Sequence, residues 1–540
     1  MRSSDAQSLP DHAARAAAQR AIDAGRGAGA LSQLLGASSA PAAPLSLRDR
    51  LAGVPPARWA KVAFCLLCVG ALTGFLLIPT YPIYDTQYYL LWGREIAHGQ
   101  LPSFTVFDGP TEHPLAIGWG VVMSIFANAE QRLAVLCAVV SFMLLVWGVY
   151  RLTRTAFTPI VAATAVALLM TRFNFMFLAA RGYVDLTYCA AIVWAAAFEI
   201  ERPRRGTLVF AVLLVAELIR PDAWLLAGLY WLWCVPKASR IQLLRWALII
   251  AAGPLLWVAL DWVVTGQPLH SLHSTQDTAV ALGRTVPLSQ LPGTLMHYLI
   301  VLTKSAVVAG AIGGIVLSAW LVPRRMAAPL VVLFGGIGTF VVLAGAGLSV
   351  IDRYLLMPAV MILIFCAFAL SGWTMLERGL LRRVWAVGAL VLAVIGTYLA
   401  ASTLSVGKIE TELGFRNTGQ TSLVAILHEP TVQRDLACGP VSVPDHKLVP
   451  DLRLILNLNG AQVIDRAYAL LLSRRGDNRL YREMQHGVAI FPLALAVARY
   501  GLADPNDSPF VQIPNVGFLK GAPAFVKLAH TPYYAAYASC

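Results

Sequence analysis

The sequence predicts an all-α polytopic membrane protein of about eleven membrane-spanning helices, followed by a small α/β domain. Composition predicts the first part. Of 540 residues, 58% are hydrophobic and only 13% charged, against roughly 45–50% and about 25% in a soluble domain. The low charge decides, because one charged side chain at a bilayer centre costs at least about 2.5–3.5 kcal/mol. The alternation of apolar runs with short basic clusters gives the count of spans. The change after residue 404 to short, alternating helix and strand signals gives the second domain.

Residues 1–58 are rich in Ala, Ser, Gly and Arg and are expected to be a largely disordered cytoplasmic tail, with an Ala-rich helix near Ala13–Ala24. No apolar region of a secretory signal follows Met1, so the first span, about 62–79, acts as an uncleaved anchor. The membrane domain occupies 59–404. Its further spans are expected at about 132–150, 158–176, 184–200, 206–219, 222–236, 246–264, 294–321, 327–349, 354–374 and 384–404. Basic clusters close every second one: Arg151 and Arg154; Arg202, Arg204 and Arg205; Lys237, Arg240 and Arg245; Arg324 and Arg325; Arg378, Arg382 and Arg383. They agree on one topology, with the N-terminus cytoplasmic and residues 405–540 extracytoplasmic in a multi-pass inner (plasma) membrane protein. The net charge of +13 belongs to these flanks, so the partner expected is membrane lipid and not nucleic acid. Residues 114–127 are apolar but short for a span, and crossing there would invert every later cluster. They are read as a juxtamembrane or re-entrant helix of the first outer loop, about 81–130.

This topology gathers Asp85, Asp108, Glu112, Asp185, Asp222, Asp261, Asp277 and Asp352 at the outer face, with Arg181, Arg220, Arg284 and Arg353. Such a set suggests a polar cavity there. The first outer loop reads Tyr84-Asp85-Thr86-Gln87-Tyr88-Tyr89, then Glu112-His113-Pro114-Leu115. It resembles the first outer loop of the GT-C superfamily of polyprenyl-phosphate-sugar-dependent glycosyltransferases, in which an Asp or Asp-Glu follows the first span and a His-Pro-Pro-Leu or Lys-Pro-Pro-Leu motif opens a juxtamembrane helix. The protein O-mannosyltransferases, aminoarabinose transferases and mycobacterial arabinosyl- and mannosyltransferases belong to it. Three further stretches resemble that superfamily in order: Arg181 to Asp185, Ile219-Arg220-Pro221-Asp222, and Asp352-Arg353-Tyr354-Leu355-Leu356-Met357-Pro358. The single Pro after His113, and Thr86 after Asp85, depart from a standard protein O-mannosyltransferase. Residues 405–540 carry no part of the resemblance.

The resemblance implies a GT-C fold, a polyprenyl-phosphate sugar donor and an inverting transfer to a glycan, lipid or protein acceptor. Such chemistry needs a base, cations for the leaving phosphate, and a groove for the prenyl chain. Asp85 is the candidate base; an Asp before the helical stretch 87–98 is equally a favoured helix cap. Arg353, Arg220 and Lys304, the last inside an apolar run, are the candidates for the donor phosphate. Each arginine also has carboxylates nearby in sequence to pair with. Glu112, His113, Asp108, Tyr88, Arg181, Asp185, His270 and His273 are substrate-binding or supporting candidates. No cofactor is expected. His270, His273 and Asp277 have a spacing that would suit a divalent metal, though such side chains in a loop are commonly just solvated.

In the terminal domain a helix is expected over Thr421–His428, a strand over 440–443, a helix over Asp451–Leu458, and strands over Ala461–Ile464 and Gly487–Phe491. Six of the eight cysteines lie in apolar runs and read as packing residues. Cys438 and Cys540, in the terminal domain, are the pair an extracytoplasmic disulfide would join. A transporter or flippase, or a non-catalytic envelope scaffold, are the competing readings. A transporter often carries internal repeats with paired broken helices, and no such self-similarity is found.

Overall fold

The computed structural model describes residues 56–105, 109–401, 406–493 and 525–540. The expected tail with its Ala-rich helix, up to residue 55, and Asp108 lie outside them. The first helices are α1 (Pro56–Leu77), α2 (Tyr84–Ala97), α3 (Pro114–Met123), α4 (Glu130–Ala156), α5 (Pro159–Met170), α6 (Phe173–Ala180), α7 (Asp185–Glu201), α8 (Thr207–Glu217) and α9 (Ala223–Cys234). They continue as α10 (Arg240–Thr265), α11 (His270–Ala281), α12 (Leu291–Thr303), α13 (Ser305–Leu321), α14 (Ala327–Gly345), α15 (Leu356–Ser371) and α16 (Leu380–Ala401).

Local chemistry sets many of their ends. Thr158 accepts from the Val161 amide and caps α5, with Pro159 in the first position, where its missing N–H costs nothing. Ser239 and Gln242 form a reciprocal capping box on α10, and Gly266 ends it at φ +74°.

Six described helices are long and apolar enough to cross a membrane, and eight if each of two bent pairs counts as one span. The helices therefore make this a multi-pass membrane protein, without giving the eleven spans expected from charge. The expected spans 158–176 and 294–321 are each broken. α5 and α6 bend by 65°, α12 and α13 by 102°. The breaks meet: Arg172, between α5 and α6, donates through Nη1 to the Thr303 carbonyl (2.6 Å), which satisfies a carbonyl at the end of α12. α8 and α9 have 11 and 12 residues, short of the roughly 20 a perpendicular span needs.

The centre of the helical part is α15, buried along almost its whole length. α13 lies against it backbone to backbone. A Cβ added at Gly314 would sit 1.9 Å from the Phe365 carbonyl oxygen, the close approach that small residues permit. A second glycine crossing fixes the loop helices. A Cβ at Gly93 on α2 would meet the Gly120 carbonyl carbon at 2.1 Å, and one at Gly120 on α3 the Tyr89 oxygen at 2.0 Å. α3 then runs into a 3-10 turn, Ser124–Ala129.

The remaining elements are α17 (Val406–Leu427), α18 (Pro430–Asp435), β1 (Val441–Val443), α19 (Val449–Leu456), β2 (Val463–Asp465), α20 (Arg466–Arg474), α21 (Arg479–Glu483), β3 (Gly487–Pro492), β4 (Val526–His530) and β5 (Tyr534–Ser539). The strands form one mixed sheet in the order β2-β1-β3-β5-β4. β1 is parallel to both neighbours, and β5 is antiparallel to β3 and β4. Cys438 and Cys540 are disulfide-bonded. The three expected strands lie where β1, β2 and β3 form, whereas β4 and β5 were not anticipated. The sheet and α2 share one apolar core, with Tyr88, Trp92 and Phe104 packed with Leu452, Val488 and Ala536.

Arg453 of α19 locks this contact. It is fully buried and donates through Nη2 to Glu95 Oε1 (2.6 Å) and Ser103 Oγ (2.7 Å). Removing one partner of a buried pair leaves a charge uncompensated, at about 3–5 kcal/mol. Arg453→Met is therefore expected to destabilise the purified protein by that amount in thermal unfolding. The double variant Glu95→Gln/Arg453→Met should lose less than the sum of the single changes.

Candidate active site

Where α2 begins, Ile83 is the cap residue. It has extended backbone and donates its amide to the Arg181 carbonyl (2.9 Å). Asp85 thus lies not at the cap but inside the first helical turn, where the helix dipole favours a carboxylate. It accepts instead from Arg353 Nη1 at 2.6 Å. Arg353 comes from the 3-10 turn Asp352–Leu355 that leads into α15. The same Nη1 is 3.9 Å from Asp185, the first residue of α7. Asp185 in turn accepts from Arg220 Nη1 (3.0 Å), and Arg220 Nε donates to Asp222 (2.9 Å), both arginine atoms belonging to the break between α8 and α9. Tyr188 closes the row by donating to Asp222 (3.0 Å). Arg220 also lies over the Tyr354 and Tyr188 rings, at 4.3 and 4.9 Å, and its neighbouring carboxylates hold its pKa above the ordinary arginine value despite burial.

The aspartates and arginines of this row line one wall of a cavity of about 550 Å³. Trp224, Leu225, Trp257, Val342, Leu343 and Leu348 make much of the rest. The arrangement offers a charged end and an apolar body, the pattern of a site for an amphipathic ligand. One oxygen of Asp85, Oδ1, is buried and has no hydrogen-bond partner among the described residues. Arg353 is the more accessible cation, its side chain 22% exposed, and its Nε and Nη2 make no hydrogen bond among the described residues.

Of the residues singled out from sequence, Asp85, Arg353, Arg220, Asp185 and His113 line this cavity. His113 caps α3, between the rings of Tyr89 (5.5 Å) and Trp257 (5.6 Å). Burial pulls its pKa down to about 3, so the imidazole is neutral at physiological pH and acts as a packed aromatic. Glu112 is buried beside it, its Oε1 3.6 Å from His270 Nε2.

The other candidates go elsewhere. Tyr88 is fully buried in the core shared with the sheet. Arg181 lines a separate, smaller cavity. Lys304 is exposed at the break between α12 and α13, with φ +82°, and does not line the main cavity. His273 and Asp277 are exposed on α11, and among the described residues no group of three His, Cys, Asp or Glu side chains could hold a metal ion. Asp222, Asp261, Arg284, Tyr354 and Trp257 line the cavity without having been chosen as site residues. The Arg-Pro-Asp motif already carried Asp222; Tyr354 stands beside Arg353.

No family model matches the sequence, and no curated protein matches it. Solved structures do. ArnT from Cupriavidus metallidurans bound to undecaprenyl phosphate superposes with a TM-score of 0.56 and 14% identity, over 88% of this chain and 97% of that one. ArnT from the same organism in the apo state gives 0.53 and 15%, over 90% and 98%. At these identities the likeness establishes a fold shared with ArnT.

Two buried carboxylic acids give the protein a pH dependence. Burial raises the pKa of Glu112 from 4.5 to about 8 and that of Asp451 from 3.8 to about 7. A carboxyl group whose folded pKa is raised binds its proton more tightly when folded, so each contributes a loss of stability as pH rises from its unfolded to its folded value. Both contributions grow between about pH 5 and 7, and the growth of each fades only as the pH passes its own folded pKa. Melting temperature measured against pH should therefore fall less steeply between about pH 5 and 7 in both Glu112→Gln and Asp451→Asn than in the wild type.

Proposed function

We propose that this chain is a membrane glycosyltransferase that moves a sugar from a polyprenyl-phosphate donor to an extracytoplasmic glycan, lipid or protein acceptor by inverting displacement. The observation that carries the reading is the pair of buried Asp85 and half-buried Arg353 at the charged end of a cavity with an apolar body. ArnT, of the same fold, was solved with undecaprenyl phosphate bound, which supports a donor of that class.

In this mechanism Asp85 Oδ1 accepts the proton of the acceptor hydroxyl as its oxygen attacks the anomeric carbon. The bond to the phosphate oxygen breaks with its electron pair, and the configuration inverts. Arg353 holds Asp85 through Nη1 and meets the departing phosphate through Nε and Nη2, a use of the planar fork that lysine cannot reproduce. Arg220, whose Nε and Nη1 are both engaged by aspartates, positions Asp185 and thereby Arg353. The apolar walls take the first prenyl units. Charge stabilisation in a site shielded from water supplies much of the acceleration.

The orientation belongs to the same proposal. Basic clusters at alternate span ends support a cytoplasmic N-terminus in the inner membrane. The Cys438–Cys540 disulfide supports an oxidising compartment for the terminal domain.

Incubating the purified protein with several radiolabelled polyprenyl-phosphate sugars tests the reading. Asp85→Asn should transfer about 10²–10⁴-fold more slowly, the usual contribution of a general base, and still bind donor. Normal turnover by that variant would remove Asp85 from the mechanism. No transfer from any such sugar by the wild type would favour a transporter or scaffold.

A further inference from the structure

A second cavity, of about 40 Å³, shares Tyr84 with the larger one. At roughly 10–15 Å³ for each water-sized group it has room for about three, close to the oxygen shell of one tetrahedral oxyanion and too little for a sugar. Three of its lining residues are cations from separate parts of the chain. Arg181 precedes α7, Arg416 is on α17, and Lys447 lies in the 3-10 turn His446–Leu448 of the sheet domain. Gln420 and the tyrosines Tyr81 and Tyr534 complete the neutral part of the wall.

The two arginines are held in an unusual way. Arg181 is only 6% exposed. Its guanidinium has no ion pair or hydrogen bond among the described residues, and its Nε is buried without a partner. The Arg416 Nε is in the same condition. Both guanidiniums lie over one ring, that of Phe177, at 5.6 and 6.0 Å. Burial, with the charge of Arg181 beside it, pulls the pKa of Arg416 down to about 10. Two carboxylates face this pair. Glu412 is one turn earlier on α17, and Asp451, which accepts from Tyr81 (3.3 Å), is itself buried and shifted towards its neutral form. Neither forms an ion pair with the arginines among the described residues. One buried and one half-buried guanidinium that share the face of one ring, line a small cavity and make no hydrogen bond or ion pair among the described residues match an oxyanion, which arginines bind by charge-assisted hydrogen bonds.

We propose that Arg181, Arg416 and Lys447 form a binding site for a phosphate-class anion, distinct from the Asp85 cavity and closed by the terminal domain. The anion is either a free phosphate or the phosphate of a lipid headgroup.

Binding is read without any transfer assay, so failure of the glycosyltransferase reading leaves this test intact. The full-length protein in detergent is melted with inorganic phosphate or with short-chain phosphatidic acid, each against chloride at equal ionic strength. At least one probe should raise the melting temperature. Half-saturation should be about ten-fold or more weaker in Arg181→Gln and Arg416→Gln, partly restored in Arg416→Lys, and unchanged in Arg353→Gln, which removes the phosphate contact of the larger cavity. Without ligand, Arg416→Gln should melt no lower than the wild type, because it removes like-charge repulsion. A response to inorganic phosphate assigns the free anion, and a response to phosphatidic acid alone assigns the headgroup. Three results overturn the site: no response beyond chloride, a response that Arg416→Gln leaves unchanged, or one that Arg353→Gln abolishes.

Discussion

The carboxylate of Asp185 stands between two guanidiniums, 3.0 Å from Arg220 and 3.9 Å from Arg353, and the helical architecture is registered on this contact. Through it the first loop helix, the start of α7, the break between α8 and α9, and the entry to the central helix α15 are all held to one another. Three aspartates and two arginines share the row, so no member can leave without exposing a neighbour's charge to an apolar interior. A constraint of this kind selects one arrangement of helices among the many that would bury similar apolar area. It also holds Asp85 in place before any ligand arrives, which is what a preorganised site requires.

The glycine crossing of α2 and α3 gives that row its depth. With Gly93 and Gly120 in backbone contact, the two loop helices form a rigid pair. The Leu115 amide donates to the Leu218 carbonyl (3.1 Å), which anchors the pair to the end of α8. Asp85 and His113 therefore face one cavity although they lie on different helices. The neutral imidazole fills the corner between Tyr89 and Trp257, while polar work falls to the carboxylate.

Much of this was legible in the sequence. Low charge and apolar runs declare the helical membrane class, and Asp85, Arg220 and Arg353 stand in motifs that can be read directly. What escaped has physical reasons. Hydropathy sees apolar length and not backbone direction, so the residues around Lys304 read as one span where the chain turns at φ +82° and leaves the lysine exposed. Arg181 and Asp185 are four residues apart and were read as one pattern, yet Gly182 at φ +75° turns the chain between them and sends them to different cavities. β5 reads Tyr-Ala-Ala-Tyr-Ala-Ser, a composition that favours helix. Its pairing on both sides, with β3 and β4, overrides that preference. The core of Tyr88 with the sheet joins residues more than three hundred positions apart, a separation no local pattern encodes.

The strand order also dictates a sequence of events during synthesis. β5 is an interior strand of the sheet, yet it follows every described helix and the other four strands, and leaves the ribosome after them. Until then β3 presents an unpaired edge, Cys438 awaits Cys540, and the apolar side of α2 lacks part of its cover. The helices must accordingly be threaded and packed first, and the sheet closes over them as a final step. A translation arrest before residue 534 would leave an open edge of the kind that invites pairing with other chains. Quality control of the sheet is thereby focused on β5 and on Cys540.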